Sequence, residues 1–338
     1  MIFESHTRFP EELEGEWNEL LERSITKVPF LRYEYLCGWW ATRGGGEWPQ
    51  ADLLIITARQ NGQLMGVAPF MLTVHEEKPS LLFLGSIEIS DYLDLIVAEE
   101  NLPDFVEGLL AFLQSDAVPQ SWSRLSLYNI PEDSPSLAVI KSITEENGWT
   151  YSADSEAPCP SIVLPGDWEI YLASIDKKQR HEIRRKMRRA ENAEQRIQMV
   201  ETSNIEQLST DIDETIRLMA LDADKARFLT TEMREQFRNS LTEAFHAGYL
   251  QLAFLEIEGI KAAVYVNFIF NNRVMVYNSG MDPAFSEFSP GWVLLGNLLQ
   301  QANQQGRAEF DFMRGDEDYK YKFGGQDRQV LRVEIDRE

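Results

Sequence analysis

Between Phe310 and Gly325 the chain gathers groups that can move a proton or hold a charge. Asp311, Asp316 and Glu317 are carboxylates, Tyr319 and Tyr321 are phenols, and Arg314, Lys320 and Lys322 are cations. Asp311 alternates with Phe310 and Phe312 in an extended run, so its side chain faces away from both rings. A carboxylate in that position, once shielded from water, has its pKa raised toward the range of a general base. Asp316 and Glu317 serve equally well as caps of a short helix over about residues 318–323. Arg314 suits an anionic group or Asp316, and Lys320 and Lys322 suit a phosphate. Ion pairs within the protein account for these three cations about as well.

A second concentration of charge lies upstream, where Lys177, Lys178, Arg180, Arg184, Arg185, Lys186, Arg188, Arg189 and Arg196 crowd into about twenty residues of a chain whose formal net charge is −23. That balance excludes a protein that coats nucleic acid or an anionic membrane with its whole surface, and it directs any anionic partner to this patch. Asp176 caps the predicted helix 176–193, in which Ile183, Met187 and Ala190 fall on one face and the basic residues cover the others. As a function, Arg184 and Arg185 with their neighbours hold a polyanion. As plain structure, they form a solvated face paired with the acidic remainder of the chain.

The elements that must position these groups fall into two halves, as a length of 338 residues suggests. In the first, a helix near residues 11–23 precedes aromatic-rich sequence and the glycine run Gly44–Gly46. Strands 52–60 and 63–74 follow, turned by Asn61-Gly62. A strand at 80–85 leads through Ser90-Asp91-Tyr92 into 93–97, and helix 102–114, strand 124–128, helix 136–147 and an extended piece ending at Leu164 close the half. Pro158, Pro160, Pro165 and Gly166 mark the boundary, giving domains 1–164 and 165–338. In the second half the basic helix precedes strand 196–201, helices 205–225 and 231–247, and three antiparallel strands at 250–257, 261–270 and 273–280. A helix from Gly291 to about Gln304, strand 308–313, the short helix and a last strand 330–335 complete it. The two halves share an order of elements and no evident sequence identity.

The run from Phe310-Asp311-Phe312-Met313-Arg314-Gly315 through Asp316-Glu317-Asp318-Tyr319-Lys320-Tyr321-Lys322-Phe323-Gly324, with Ser289-Pro290-Gly291 before it, resembles the GNAT-superfamily acetyltransferases found beside bacterial cellulose and exopolysaccharide genes. That family is distantly similar to the Fem-type aminoacyltransferases, and the resemblance extends over about residues 170–335. It implies an α/β chain of tandem GNAT-like domains, each a mixed, mostly antiparallel sheet flanked by helices. It also implies an N- or O-acyltransferase that takes an acyl group from acetyl-CoA or another acyl-CoA, without a metal, and passes it to an amine or hydroxyl of a sugar, cell-envelope or polysaccharide precursor. In such a fold strands 274–278 and 309–313 part, and the freed backbone near Asn278 binds the pantetheine arm. Ser289 and Gly291 open the next helix, whose N-terminus suits a pyrophosphate. In place of the usual basic or Gln residue followed by Gly-x-Gly, the chain has Ser-Pro-Gly.

By position, Tyr319 and Tyr321 are candidates for the acid that protonates the leaving thiolate, and Asp311 and Asp316 for the base. Asn278 and Lys320 are candidates for the donor, and Arg314 and Glu317 for the acceptor. Asp91 and Tyr92, within Ser90-Asp91-Tyr92-Leu93-Asp94, match a family segment that contributes to a cleft. A turn built on Asp91 explains them as well. The basic helix, through Arg184 and Arg185, suits the 3′-phosphate of coenzyme A, a nucleotide-linked sugar or a tRNA acceptor stem. The last of these belongs to a Fem-like alternative with aminoacyl-tRNA as donor, and a catalytically degenerate binding module is a further one. No Cys or Ser has a paired His for a covalent relay, so direct attack is expected. Residues 1–10 lack the apolar core of a secretory signal and no stretch is long enough to span a bilayer, from which a soluble cytoplasmic protein is expected.

Overall fold

The computed structural model describes residues 1–119 and 121–337, which form two compact units: Met1–Ala157 with the C-terminal segment from Arg328, and Pro158–Asp327. In the first unit β1 (Ile2–His6), α1 (Glu14–Leu21), α2 (Tyr33–Ala41) and the short turn α3 (Arg43–Gly46) precede β2 (Asp52–Gln60), β3 (Gln63–His75) and β4 (Lys78–Phe83). Then come β5 (Ile96–Val97), α4 (Leu102–Leu113), β6 (Arg124–Pro131), α5 (Ser136–Glu146) and β7 (Thr150–Pro158). The glycine run forms the turn α3: Gly44 has φ 66° and lies so close to the Trp39 indole that a side chain would collide with it.

The second unit contains β8 (Ser161–Val163), α6 (Trp168–Ser174), α7 (Lys177–Glu191), β9 (Ile197–Glu201), α8 (Ile205–Met219), α9 (Ala223–Phe228) and α10 (Thr231–His246). It continues with β10 (Leu250–Ile257), β11 (Ile260–Phe270), β12 (Arg273–Met281), α11 (Pro290–Gln304), β13 (Glu309–Asp311) and α12 (Asp318–Lys322). Its sheet has the order β8-β13-β12-β11-β10-β9. Leu294, Leu295, Leu298 and Leu299 of α11, Ile183 and Met187 of α7, and Tyr171 and Leu172 of α6 form one apolar core with Val274, Val276 and Phe310 of the strands and with Phe312 just past β13. α7 keeps its expected core face of Ile183, Met187 and Ala190, and the Asp176 carboxylate caps it by accepting from the N–H groups of Lys178 and Gln179. Where one helix over 205–225 was expected there are two, because the Asp222 carboxylate accepts from the N–H groups of Asp224 and Lys225 and starts a new one.

The last strand, β14 (Gln329–Asp336), differs from expectation. It was expected to end the second domain; instead it lies in the first unit's sheet, whose order is β1-β2-β3-β4-β6-β14-β7, with β5 on β3. β14 runs antiparallel to β6, and Arg124 of β6 grips it through Asp336, with N–O distances of 2.9 and 2.7 Å, and through Glu334 at 2.9 Å. In the second unit the place beside β13 is taken by β8, which precedes the rest of the unit. The boundary accordingly falls near residue 158 and is crossed again near 327.

Both units are built on the same scheme. Antiparallel strands lead to one strand that pairs in parallel with a strand arriving after a helix: β4 with β6 in the first unit, β12 with β13 in the second. The architecture is thus a tandem of mixed α/β domains of the GNAT type.

Candidate functional site

β12 and β13 pair over three residues only, Arg273 with Glu309, Val274 with Phe310 and Met275 with Asp311. β13 then ends, and Phe312 donates its N–H to the carbonyl of Pro160. β12 runs on to Met281 with no strand on that side among the described residues. A bulge falls in the same stretch: Val266 faces Asn278 and Asn267 faces Val276, which leaves Tyr277 as the extra residue. A bulge raises local twist and bends its strand, so it turns β12 away where the pairing ends. Backbone groups of Val276–Ser279 therefore border a slot instead of a ladder.

α11 begins beside the end of that slot, and a side-chain atom on Gly291 would meet the Met281 methyl at 2.8 Å. Pro290 occupies the first helical position, where its missing N–H costs nothing. Ser289, at the N-terminal boundary of this helix, has φ 53° and ψ 53°, and its side chain makes no capping hydrogen bond. Its carbonyl accepts instead from the N–H groups of Trp292 and Val293.

The tyrosines part company. Tyr319 is half-buried against the core, its ring edge-on to Phe312 with centroids 6.0 Å apart, and its hydroxyl has no hydrogen-bond partner among the described residues. Burial, with the Glu317 charge adding to it, pushes the Tyr319 pKa well above its ordinary value and keeps the group protonated. Tyr321 is 37% exposed and donates its hydroxyl to Asp327 at 2.8 Å, a bond that raises its pKa to about 12. A third phenol, Tyr265 on β11, is buried in the same core. Its pKa is raised by burial and then by Tyr319 and Glu317.

The loop between β13 and α12 is held by charges that had been expected to hold ligands. Asp311 is buried and accepts the Met313 N–H at 2.7 Å, fixing a chain reversal in which Met313 has φ 56°. Lys320, expected to reach a phosphate, is buried instead. Its ammonium donates to the carbonyls of Arg314 (2.7 Å), Gly315 (3.2 Å) and Met313 (3.3 Å) and pairs with Glu317 at 2.8 Å. Arg314 is half-buried, and Asp316 and Glu317 are exposed; Asp316 has no ion pair among the described residues. Lys322 pairs with Asp318.

Asn278 does lie on the slot, and there it meets a residue that the sequence had not singled out. Lys225 of α9 donates to Asn278 Oδ1 at 2.9 Å and to the carbonyl of Ser279 at 2.5 Å. Burial lowers its pKa, and Asp222 and then Glu317 oppose that shift. Glu317 is thus within electrostatic reach of Lys225, Tyr265 and Tyr319, which makes it the common neighbour of the group. The Asp222 cap was the available signal for Lys225, since it breaks a predicted helix and turns Lys225 toward β12. Tyr265 gave none, because it sits in an apolar strand at an ordinary core position.

Arg184 pairs with Glu169 and Arg185 with Glu182, at 2.8 Å, so both are engaged within α6 and α7. Lys186 lies over the Trp292 ring, 3.7 Å from its centroid. Lys177, Lys178, Arg188 and Arg189 are exposed and make no ion pair or side-chain hydrogen bond among the described residues.

Asp91 and Tyr92 belong to the first unit, Asp91 half-buried and Tyr92 buried. There β4 and β6 also pair over three residues, but the space beyond is filled by the chain itself. The Asn129 amide donates to the carbonyls of Ile87 (3.0 Å) and Ser90 (2.8 Å), its own carbonyl accepts the Leu93 N–H (2.9 Å), and the Tyr35 hydroxyl donates to the Ile89 carbonyl (2.8 Å). Asp94, buried beside this loop, accepts from Thr26 and Ser134. Of the two parallel pairs, the one in the second unit has the open edge.

Comparison with known proteins bears on the fold and the domain family. The profile of the acetyltransferase (GNAT) domain family matches residues 177–321. FemX is similar in structure, with 11% identity, 95% of each chain covered and a TM-score of 0.68. So is L-PGS from Bacillus licheniformis, with 11% identity, 98% of this chain and 93% of that one covered, and a TM-score of 0.59. The C-terminal domain of a putative lysylphosphatidylglycerol synthetase from Agrobacterium fabrum has 12% identity, coverage of 97% and 93%, and a TM-score of 0.57. No curated protein matches the chain in sequence. No helix among the described residues is long and apolar enough to cross a membrane. The second unit, which contains the open edge, Tyr319 and Lys225, therefore carries a GNAT-family acetyltransferase domain.

Proposed function

We propose that the second unit transfers an acyl group from acyl-CoA to an amine or hydroxyl of a sugar, cell-envelope or polysaccharide precursor. The observation that carries this reading is the parting of β12 and β13 after three paired residues. An extended thioester arm lies along the open edge from Met281 toward Met275, and its phosphates face the first turn of α11, where backbone N–H groups and the helix dipole favour an anion. Gly291 supports close approach because it presents no side chain. The acceptor nitrogen or oxygen bonds to the thioester carbon, the carbon–sulfur bond breaks, and the thiolate takes the proton of Tyr319. The acceptor's own proton leaves to water or to Glu317, the carboxylate whose charge reaches Tyr319, Tyr265 and Lys225. Tyr319 suits its role because its hydroxyl has no other partner among the described residues and stays protonated across the physiological range. Tyr321, bonded to Asp327 at the surface, has no part in it.

Calorimetric titration of the full chain with acetyl-CoA tests the donor. Binding at micromolar to millimolar concentration, together with a large loss of turnover in Tyr319→Phe, is expected. No heat at millimolar ligand sinks the acyl-CoA donor.

One observation favours a second donor, aminoacyl-tRNA. Four basic side chains of α7, Lys177, Lys178, Arg188 and Arg189, stand exposed without ion pairs among the described residues of a strongly acidic protein. This reading requires that replacing them by Gln abolish tRNA binding and flatten its salt dependence. The acyl-CoA reading requires that the same variant bind acetyl-CoA as the wild type does.

A further inference from the structure

At Ser279 the open edge of β12 is closed by the protein's own side chains. The Ser279 N–H donates to Asn278 Oδ1 at 2.9 Å, and its carbonyl accepts from the Lys225 ammonium at 2.5 Å. Lys225 donates a second time, to Asn278 Oδ1 at 2.9 Å. An ammonium carries three N–H groups. Among the described residues these two acceptors are the only partners of Lys225, which leaves one N–H for something else. Lys225 and Ser279 both line a pocket of about 260 Å³ whose other walls include Asp222, Leu221, Met281 and Pro283. Leu221 is 43% exposed and Met281 50%, so two large apolar side chains face open space there.

A strand edge offers carbonyls and N–H groups in turn to whatever lies along it. Lys225 consumes the carbonyl at Ser279 and presents a charged donor in its place, which reverses the hydrogen-bond polarity of the edge at that point. We propose that Lys225 is a ligand-binding residue of the transferase site, its third N–H taking an uncharged amide carbonyl oxygen on the arm of the acyl donor. This rests on the acyl-CoA reading above. The occupant is a carbonyl and not a phosphate for two reasons. The Asp222 carboxylate lines the same pocket and opposes an anion, and the Leu221, Met281 and Pro283 walls suit the methylene and methyl groups that flank the amides of a pantetheine arm.

The test titrates acetyl-CoA and S-acetylpantetheine, which keeps the amides and lacks the nucleotide and phosphates, into the full-length wild type, Lys225→Met and Lys225→Arg. Loss of one hydrogen bond to a charged group lowers affinity about tenfold or more. Lys225→Met weakens both ligands by that factor, and Lys225→Arg stays within about threefold of the wild type. Should the methionine variant not fold, Lys225→Gln, too short to span Ser279 and the pocket, gives the same loss. Wild-type affinity for both ligands in Lys225→Met overturns the proposal and leaves the acyl-CoA reading standing, as does a loss confined to acetyl-CoA, which would mark a phosphate contact. A wild type that binds neither ligand removes both.

Discussion

Two glycines beside the slot give a paired test, because they are tight for different reasons. At Gly280, near the end of β12, an added Cβ would stand 2.6 Å from the Leu218 carbonyl carbon, 2.6 Å from the Met219 nitrogen and 2.9 Å from the Leu218 oxygen. All three are backbone atoms in the last turn of α8. Ordinary contact between such atoms is about 3.5 Å, so helix and strand must move apart by roughly 1 Å. Overpacking of that kind costs about 1–3 kcal/mol. In a unit of this size about 2 kcal/mol lowers the melting temperature by about 4–8 °C. Since β12 carries the open edge, Gly280→Ala also displaces the donor's binding surface. At Gly291 the close atom is the Met281 methyl, 2.8 Å away at the end of a half-exposed flexible side chain, which swings aside. Ala is better than Gly in a helix by up to about 1 kcal/mol. Gly291→Ala therefore melts at or slightly above the wild-type temperature, while its affinity for acetyl-CoA falls because a methyl group now stands in the first turn of α11. Calorimetric scans and acetyl-CoA titrations of the two variants separate the cases. A Gly280→Ala protein that melts like the wild type refutes the close approach of β12 to α8. A Gly291→Ala protein that binds acetyl-CoA normally refutes the phosphate position.

Tyr319→Phe lowers kcat by about 10²–10⁴-fold with little change in KM or melting temperature, whereas Tyr321→Phe keeps wild-type kcat; equal losses in both, measured by release of free thiol, defeat the assignment of the acid. Because the Tyr319 pKa lies well above its ordinary value, the pH profile of kcat/KM has no alkaline limb from this group below about pH 10, and a limb that vanishes in Tyr319→Phe contradicts that. Truncation after Asp327 removes β14 from between β6 and β7, so hydrogen exchange quickens throughout Met1–Ala157 while Pro158–Asp327 keeps its protection; the reverse pattern is incompatible with the strand order. The Arg124 bond holds the Asp336 carboxyl below its usual pKa, and Arg332 does the same for Glu76. A depressed carboxyl stabilises above its unfolded pKa of about 4 and loses that contribution as pH falls through the folded value. The melting-temperature gap between wild type and Arg124→Met therefore narrows from pH 6 to pH 3, and a gap that widens shows the sign to be wrong.

Periodicity and turn chemistry placed most of the elements near the site before any coordinates. The apolar face of α7 at Ile183, Met187 and Ala190, the turn at Asn61-Gly62, and the three antiparallel strands before α11 follow from local rules that hold regardless of the rest of the chain. What depends on pairing over long separations was not legible. β14 looks like any amphipathic strand, and it is partners more than two hundred residues earlier, Arg124, Lys78 and Glu76, that identify its sheet. The same holds for side chains whose role is set by neighbours: Lys320 reads as an exposed phosphate ligand, yet three carbonyls of one tight loop draw it inside. Lys225 reads as one more surface lysine until Asp222 starts α9 and turns it onto β12.

The two units show why one edge is open and the other closed, although both are built on the same parallel pair. In the first unit the chain leaving β4 turns at Gly85, with φ 99°, and returns along β6, where Asn129, itself at φ 62°, supplies both side-chain and backbone bonds to it. Twelve residues between β4 and β5 are enough to fill the space. In the second unit the chain leaving β12 goes through Asp282–Ser289 directly into α11, so among the described residues no strand returns beside β12 beyond Met275, and the bulge at Tyr277 bends β12 away from β13. Closure there falls to single side chains, Asn278 and Lys225, at one residue of the edge. A loop that fills a gap must unfold to admit a ligand, whereas two side chains occupy one residue of the edge and leave the rest of it accessible. The second unit is for that reason the one suited to binding a donor reversibly.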